Sequence, residues 1–273
     1  MAINLSDKLT ADHSEKYIVS IRLRSGGLSF SAYSPSVSES FFYRDVEFDR
    51  TRPYISSLKE CFFENDFLTW FYKQVNVVCV TSQYTLVPAA VFQEKQKAEL
   101  LAFTFSSPEG RCLSNELKDE PAELVFGVDV YEFCSRSLVN PRFVHHVGPL
   151  LSLWKKQSRA RLPRQLYVVL HRRRMDVACY AQGNLLFVNS FEYEHTDDIL
   201  YYILYVWKQV GMDQQKDQLR LFGDVPLRND ITNTLRNYLQ YIDPLEIPSE
   251  AYLMGSEVLQ APLDLIALSL CEL

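Results

Sequence analysis

The sequence predicts an α/β protein with mixed sheets, made of two similar domains that flank a cleft. Three observations favour this fold class. The apolar pattern of residues 17–63 recurs between residues 165 and 208. Each copy begins with alternating apolar and polar residues, which is typical of strands, and continues into helical spacing. The length of 273 residues is large for one core and ordinary for two domains.

The repeat is clearest in the first two strands of each copy, where a shift of 147 positions sets apolar residues on apolar residues. The matched pairs include Val19 with Leu166, Ile21 with Val168, Leu23 with Leu170, Leu28 with Met175, Phe30 with Val177 and Tyr33 with Tyr180. When two loop residues are omitted, the match continues between residues 41–51 and residues 186–196. Internal similarity of this kind predicts two domains built on one plan.

The first half predicts the order strand, strand, strand, helix, strand, helix. Tyr17–Arg24 and Leu28–Tyr33 alternate on either side of Ser25-Gly26-Gly27, so they form a hairpin whose glycines allow a positive φ. Phe41–Phe48 is the third strand, and Thr51 is expected to cap the next helix. The other elements expected here are a buried parallel strand at Val75–Val80, a helix after Pro88 with Ala90, Glu94 and Leu100, a loop over Ser106–Glu120, a strand at Leu124–Val128, a helix at Val130–Leu138, a strand at Phe143–His146 and a helix at Val147–Lys156.

The second half repeats this order. It predicts a hairpin over Leu166–Tyr180, a third strand at Leu185–Phe191 and a helix that Thr196 caps and Gly211 ends. Further on we expect a strand at Leu219–Phe222, a helix capped by Asn229 or Asp230 and ended by Asp243-Pro244, and a last helix at Leu263–Leu270 that opens with Pro262. The first domain is therefore assigned to residues 1–160 and the second to residues 161–261.

Charge and hydropathy exclude several classes of protein. The formal net charge of −6 disfavours a DNA-binding protein. The N-terminus has no basic segment followed by an apolar run, and no stretch reaches the roughly 18 apolar residues of a membrane span. A cytoplasmic protein without membrane insertion is therefore expected. The six cysteines lack metal-site spacing, so we expect reduced and mostly buried thiols.

Each half thus follows the order βββαβα, with a further strand and helix (βα) after it. This order resembles the duplicated actin-like ATPase fold, which is ribonuclease H-like and is shared by actin, sugar kinases and the Hsp70 ATPase domain. The chain looks similar to the small pilus-assembly and secretion proteins of that group. More specifically, it resembles a Bacteroidetes family of unknown function with an actin-like ATPase fold. The resemblance implies that the last helix, within residues 262–273, packs back on the first domain.

The resemblance also implies a test for catalysis. In active relatives, the first hairpin tip carries Asp-x-Gly and a small hydroxyl residue, and the second carries another Asp and Gly. These acids hold Mg²⁺ through water, and the glycines let backbone amides approach phosphates. Here the first tip, Arg22 to Gly27, has no carboxylate, and the second, Leu170 to Met175, has neither acid nor glycine. A later adenosine-loop pattern is reduced to Gly223 and Asp224.

An arginine side chain neither binds Mg²⁺ nor acts as a general base near neutral pH. We therefore expect no catalytic residue, no metal site and no cofactor. Two interpretations of the basic tips stay open: they are solvated turns, or they face the cleft and hold an anion, which is a phosphate-bearing ligand or an acidic segment of another protein. The candidate cleft residues are Arg22, Arg24, Ser25, Gly26, Gly27, His171, Arg172, Arg173, Arg174, Gly223 and Asp224.

Three other patterns favour structural roles. His145 and His146 are adjacent, so on a strand they should point to opposite faces and share no metal. A basic segment resembles an RNA-binding patch only in charge and is interpreted as a solvated linker; its residues are Lys155, Lys156, Arg159, Arg161 and Arg164. An aromatic run on one helix is interpreted as buried, or as facing the other domain or a partner; its residues are Tyr201, Tyr202, Tyr205 and Trp207.

The sequence therefore predicts a cytoplasmic, catalytically degenerate protein that works as a binding or assembly module with a protein partner. One alternative is a sensor that binds a nucleotide or another anion through the basic tips. A second alternative is an enzyme, either a divergent ATPase or kinase that recruits Asp176 or Asp224, or another transferase.

Overall fold

The computed structural model describes residues 3, 9–108, 110–160 and 163–272. The chain divides into two compact units. The first comprises Met1–Pro149 and Pro248–Leu273, and the second comprises Leu150–Ile247.

The first unit contains eight strands among its described residues, arranged in two sheets. The strands are β1 (Ile18–Arg24), β2 (Gly27–Tyr33), β3 (Phe42–Glu47), β4 (Gln74–Cys79), β5 (Tyr84–Pro88), β6 (Arg111–Glu116), β7 (Ala122–Val128) and β8 (Arg142–His145). The larger sheet has the order β3-β2-β1-β4-β8. Its first three strands are antiparallel, and β4 and β8 run parallel to β1.

The smaller sheet corrects the sequence analysis. Its order is β5-β7-β6, and all its pairs are antiparallel. The loop predicted over Ser106–Glu120 in fact contains β6, which is half-exposed and polar and so lacks a strand pattern of its own. The predicted helix after Pro88 is also displaced, because α2 begins only at Lys97.

The helices of the first unit cover the sheets. They are α1 (Tyr54–Glu64), α2 (Lys97–Thr104), α3 (Tyr131–Ser137) and, at its end, the start of α4 (Val147–Ser158). The residue before α1 is Pro53, so Thr51 is not its cap; the amide and hydroxyl of Thr51 instead donate to Asp49 Oδ1 at 2.9 and 2.8 Å. The prediction for Thr51 was wrong because the Asp49 carboxylate accepts both hydrogen bonds in a local turn that precedes the helix.

The second unit has one five-stranded sheet. Its elements are β9 (Gln165–Leu170), β10 (Arg174–Ala181), β11 (Asn184–Glu192), α5 (Thr196–Gln209), β12 (Gln218–Phe222), α6 (Val225–Leu235) and β13 (Tyr241–Pro244). The order β11-β10-β9-β12-β13 is the same as in the larger sheet of the first unit, with the same strand directions. Two sheets of one plan follow from the repeated apolar pattern.

The core of the second unit lies between the sheet and two helices. Ile199 and Ile203 of α5 and Leu235 of α6 pack with Val168 and Val177 of the sheet, and all are fully buried. On the other face, Trp154 stacks on Tyr167 with ring centroids 5.4 Å apart. Burial of these large side chains is the main favourable contribution to folding.

Helix starts in this unit also differ from the sequence prediction. The residue before α5 is His195, and the amide of His195 donates to Asp198 Oδ2 at 2.9 Å. Helix α6 begins at Val225 and is capped by Asp224. Asn229 and Asp230, which were predicted to cap it, lie inside the helix. Its predicted end at Asp243-Pro244 is wrong, because those residues form β13, whose partner β12 the sequence alone does not reveal.

Residues 248–272 belong to the first unit. Two short 3₁₀ helices, Ser249–Met254 and Ser256–Gln260, precede α7 (Leu263–Glu272). No helix in the described part of the chain is long and apolar enough to cross a membrane. All six cysteines are free, and Cys271 is the exposed one.

Candidate functional site at the hairpin tips

The first hairpin turns at Ser25 and Gly26. Gly26 has φ of 79°, a conformation that favours glycine. A Cβ on Gly27 would lie 2.2 Å from the carbonyl oxygen of Val46, so the third strand passes too close for any side chain. The two glycines thus serve the packing of β1, β2 and β3.

Arg22 is not at the tip but inside β1, opposite Ser29, and is 4% exposed. Its Nε lies 2.7 Å from Oδ2 of Asp264, which is 1% exposed and stands in the first turn of α7. The other oxygen, Oδ1, accepts a hydrogen bond from the amide of Leu265 at 2.9 Å. Arg22 is therefore a buried partner of Asp264, and the solvated-turn interpretation is wrong for this residue.

Arg24 stands at the end of β1 and pairs with two acids of β3. Its Nη2 is 2.7 Å from Asp45 Oδ2 and 2.9 Å from Glu47 Oε1. Burial lowers the pKa of Arg24, the carboxylates of Asp45 and Glu47 raise it, and the net shift is upward. The hydroxyl of Ser29 donates to Asp45 Oδ1 at 2.6 Å. The charge of Arg24 is thus balanced by the neighbouring strand.

The second hairpin holds a buried carboxylate behind its tip. Asp176, on β10, is 1% exposed. Its Oδ2 lies 2.7 Å from His171 Nε2, while its Oδ1 accepts from the Ser190 hydroxyl at 2.6 Å and lies 3.3 Å from Arg174 Nε. The Tyr193 hydroxyl donates to the carbonyl of His171. Asp176 therefore holds His171 and Arg174 in place and does not face solvent as a metal ligand would.

Arg172 and Arg173 are the exposed residues of this tip. Among the described residues, no carboxylate forms an ion pair with either guanidinium. The amide of Tyr193 donates to the carbonyl of Arg173 at 3.0 Å, which fixes the backbone below these side chains. These two arginines keep the property that an anion site needs, a positive charge in contact with water.

Gly223 and Asp224 form the turn between β12 and α6. Gly223 has φ of 146°, and a Cβ there would lie 2.9 Å from the carbonyl oxygen of Leu170, so this turn packs against the end of β9. The carboxylate of Asp224 accepts from the amide of Leu227 at 3.4 Å and caps α6. Both residues have a structural explanation.

The acid partner of Arg22, Asp264, was not among the residues predicted for the site. Asp264 is the only charged residue between residues 258 and 271, in a segment of otherwise apolar character. A lone acid in such a segment indicates a buried, paired carboxylate, because an unpaired one is costly. The sequence could therefore have indicated that Asp264 is buried and paired, but it could not have identified Arg22 as the partner.

The two adjacent histidines are buried and structural. His145 Nε2 lies 3.1 Å from the carbonyl of Thr81, and His146 Nδ1 lies 3.2 Å from that of Cys79. Their ring centroids are 4.5 Å apart, so the prediction of opposite faces was wrong. The reason is that β8 ends at His145 and the chain turns there. Within the described ranges, no group of three His, Cys, Asp or Glu side chains is placed to hold a metal ion.

The basic segment is only partly a solvated linker. Lys156 and Arg159 are exposed. Arg164 instead donates through Nη1 to the carbonyls of Val210 and Gly211, at 2.6 and 2.9 Å, and so satisfies the end of α5. The interpretation as a solvated linker was wrong for Arg164, and Arg161 lies outside the described residues.

Residues 6–242 match the family model described as "Protein of unknown function (DUF3822)". The chain belongs to this family. No curated protein matches it. The fold assignment is supported by solved structures, and the predicted resemblance is confirmed by the first of them. This is a Bacteroides thetaiotaomicron protein with actin-like ATPase fold and unknown function, at 29% identity and a TM-score of 0.81, covering 96% of this chain and 99% of that one.

A more distant neighbour is the PilM–PilN type IV pilus biogenesis complex. The TM-score is 0.52 at 10% identity, with 92% of this chain and 93% of that chain covered. Together these matches confirm the predicted fold: mixed α/β sheets in an actin-like ATPase arrangement.

Proposed function

We propose that this DUF3822 protein is a catalytically degenerate member of the actin-like ATPase fold and that it acts by binding a protein partner. The observation that carries the proposal is the state of the acids near the two hairpin tips. Asp264, Asp45 and Asp176 each lie beside an arginine of their own unit, Arg22, Arg24 and Arg174 respectively.

Magnesium bound to nucleotide phosphates requires carboxylate oxygens that face water. Asp264 and Asp176 are each 1% exposed, and Asp45 shares Arg24 with Glu47. Recruiting any of them to a metal would first break an ion pair or a hydrogen bond. The carboxylates nearest to the two hairpin tips thus hold strands and α7 together in this protein.

A protein-binding role is supported by the neighbour named above, which is a complex of PilM with a second protein, PilN. That likeness concerns the fold, so the partner of this chain is proposed without a name. The cytoplasmic location expected from the sequence stays a prediction.

A thermal-shift measurement tests the loss of nucleotide chemistry. The protein is heated with ATP alone and with Mg-ATP. We expect no additional stabilisation from the metal, because a ligand stabilises a protein only as far as it binds the folded state. A Mg²⁺-dependent rise in Tm that Asp176→Asn or Asp224→Asn removes would overturn the proposal and favour the divergent ATPase or kinase.

A second candidate function is favoured by Arg172 and Arg173, which are exposed and form no ion pair within the described residues. In this reading the second hairpin tip binds an anion without metal. Titration with inorganic tripolyphosphate, followed by calorimetry, tests it. Binding that Arg172→Ala with Arg173→Ala abolishes, and that the exposed Arg136→Ala control retains, would support the sensor. Equal affinity in all three proteins would exclude it.

A further inference from the structure

The outermost strands of the two larger sheets differ in what covers them. In the first unit, β3 and the loop before it are covered by residues 253–257. The amide of Phe41 donates to the carbonyl of Met254 at 2.9 Å, and the amide of Glu39 donates to that of Leu253 at 3.3 Å. Glu257 Oε2 accepts from the amide of Tyr43 at 3.2 Å and pairs with Arg44. This edge of the sheet is thereby protected by the chain itself.

The corresponding edge in the second unit is β11. In the strand order it has β10 on one side and, among the described residues, no strand on the other. Asn184 and Asn189 are exposed, and Leu186 is 46% exposed. The segment that covers β3 belongs to the first unit, and in the part of the chain that the structure describes no strand pairs with β11 on its outer side.

Strand β11 has one feature that protects sheet edges, a β-bulge where its pairing with β10 shifts between Phe187 and Leu185, but it lacks the others. Natural edges carry charged residues, proline or short strands, which prevent pairing with another chain. The opposite edge, β13, has four residues that include Asp243 and Pro244. By contrast β11 has nine residues, and Glu192 at its end is the only charged one. Its backbone therefore favours addition of a further strand.

A group of aromatic side chains lies at this strand, partly buried at Phe187, Phe191 and Tyr202 and exposed at Tyr201 and Tyr205. Phe187 and Phe191 stack on each other, and Tyr202 of α5 stacks on Phe191 with ring centroids 4.5 Å apart. Tyr201 and Tyr205 continue the group with stacked rings and are 62% and 46% exposed. Tyrosines and other aromatic residues are enriched at protein interfaces, so an exposed group next to an open edge indicates an interaction surface.

We propose that β11 is the site at which two copies of this chain associate, by antiparallel pairing of β11 with β11 about a two-fold axis. The two five-stranded sheets would then form one sheet of ten strands. A two-fold interface must be self-complementary. Residues 184–191 carry no charge, so the strand opposes its own copy without repulsion between like charges.

The ends of the strand supply complementary charges. Glu192 and Glu194 are exposed at its C-terminal end. At its N-terminal end, the exposed Arg159 packs against the turn, since its Cγ lies 2.8 Å from the position of a Cβ on Gly183. Antiparallel pairing brings the acidic end of one copy to the basic end of the other. A second copy thus fits this edge in both direction and charge, and the inference does not depend on the proposed partner protein.

The middle of β11 is Val188, so pairing centred on the strand places Val188 opposite Val188 of the second copy. Val188→Lys and Val188→Glu each then set two like charges face to face. We expect each to weaken association by about tenfold or more, because directly opposed like charges destabilise a strand pair. An equimolar mixture of the two variants should associate again, as heterodimers with opposite charges in contact.

Molar mass from light scattering during gel filtration measures this. The wild type should give twice the chain mass of 31.7 kDa, each single variant the chain mass, and the mixture twice the mass again. Val225→Lys, at a valine of α6 that is 53% exposed, is the matched control and should leave the dimer intact. Far-UV circular dichroism and Tm check that all variants fold.

Three results would overturn the proposal: a monomeric wild type, a dimer that neither Val188 variant weakens, or variants that dissociate but do not recombine. The last would mean that β11 contacts another surface of this chain, whereas a monomeric wild type would leave a strand of an unrelated protein as the partner of β11. If the charged variants fold poorly, Val188→Cys in a Cys271→Ser background provides a second test. Oxidation should join two copies through residue 188, whereas the Val225→Cys control should stay monomeric on a non-reducing gel.

Discussion

The outer strand pairs of the two units carry the same two side chains in exchanged positions. In the first unit Ser29 of β2 faces Asp45 of β3, and in the second Asp176 of β10 faces Ser190 of β11. In both cases the serine hydroxyl donates to the carboxylate at 2.6 Å. A basic residue completes each group: Arg24, the last residue of β1, pairs with Asp45, and His171, which follows β9, contacts Asp176.

The exchange changes the environment of the acid. The Asp45 side chain lies on the outermost strand, is 40% exposed and is paired with an arginine that is always charged. Asp176 lies on an inner strand, is almost fully buried and is paired with a histidine. The same cross-strand pair is therefore part of a surface ion pair in one unit and part of a buried polar network in the other.

The largest effect should come from the buried ion pair of Arg22 and Asp264 in the first unit. We expect Asp264→Ala to lower the free energy of unfolding by about 3–5 kcal/mol, because Arg22 is left as an uncompensated buried charge. Urea unfolding followed by circular dichroism measures the loss. The double variant Arg22→Met with Asp264→Leu is the control and should lose much less. Similar losses in the single and double variants would show that packing and not charge holds α7 in place.

The exchanged acids themselves give the next effect. Asp176→Asn should lower the free energy of unfolding by about 1–3 kcal/mol, because it disturbs a buried network of hydrogen bonds. The matched change Asp45→Asn should cost only about 0–1 kcal/mol, since the Arg24 pair is exposed to solvent. The same urea titration compares the two. Equal losses would contradict the distinction between the two environments.

The smallest effect concerns the helix starts of the two units. At the start of α5, the backbone amides of His195 and Glu194 donate to the carboxylate of Asp198 and lower its pKa. Before α1, the amide and hydroxyl of Thr51 donate to Asp49 and lower the pKa of that carboxyl. The stabilisation from these bonds is therefore full above the ordinary carboxylate pKa and is lost as the pH falls through the lowered pKa. Asp198→Asn and Asp49→Asn should each lower Tm slightly at neutral pH.

A Tm series from neutral to acidic pH checks this pH dependence. The difference between each variant and the wild type should shrink as the pH falls and should disappear once the acid is protonated in both states. A difference that stays constant with pH would mean that the asparagines disturb the helix starts by geometry and not by charge.

Most strands of the two larger sheets could be predicted from the sequence. The alternation in Val19, Ile21 and Leu23, and the glycines that follow, have a local physical cause and gave the first hairpin correctly. The strands that the sequence did not predict are β5, β6 and β13. All three are short or polar, and each is a strand only because β7 or β12 supplies its hydrogen bonds.

The candidate site was predicted in part. The absence of acids from the tips can be read directly from the sequence. The direction in which each arginine side chain points cannot be read from it. Arg22 and Asp264 are 242 positions apart, and nothing local to either residue indicates the other. Likewise the aromatic run on α5 does not reveal that Trp207 is buried while Tyr201 is exposed beside an open edge.

Residue type and short-range periodicity are enough to give the repeated plan of the two larger sheets, most of their strands and the basic character of the hairpin tips. Which charges neutralise one another and which sheet edge is covered are visible only in the folded chain. Those outcomes depend on contacts between distant segments, and the free energy of a charge or an unpaired strand is set by the neighbours that folding brings to it.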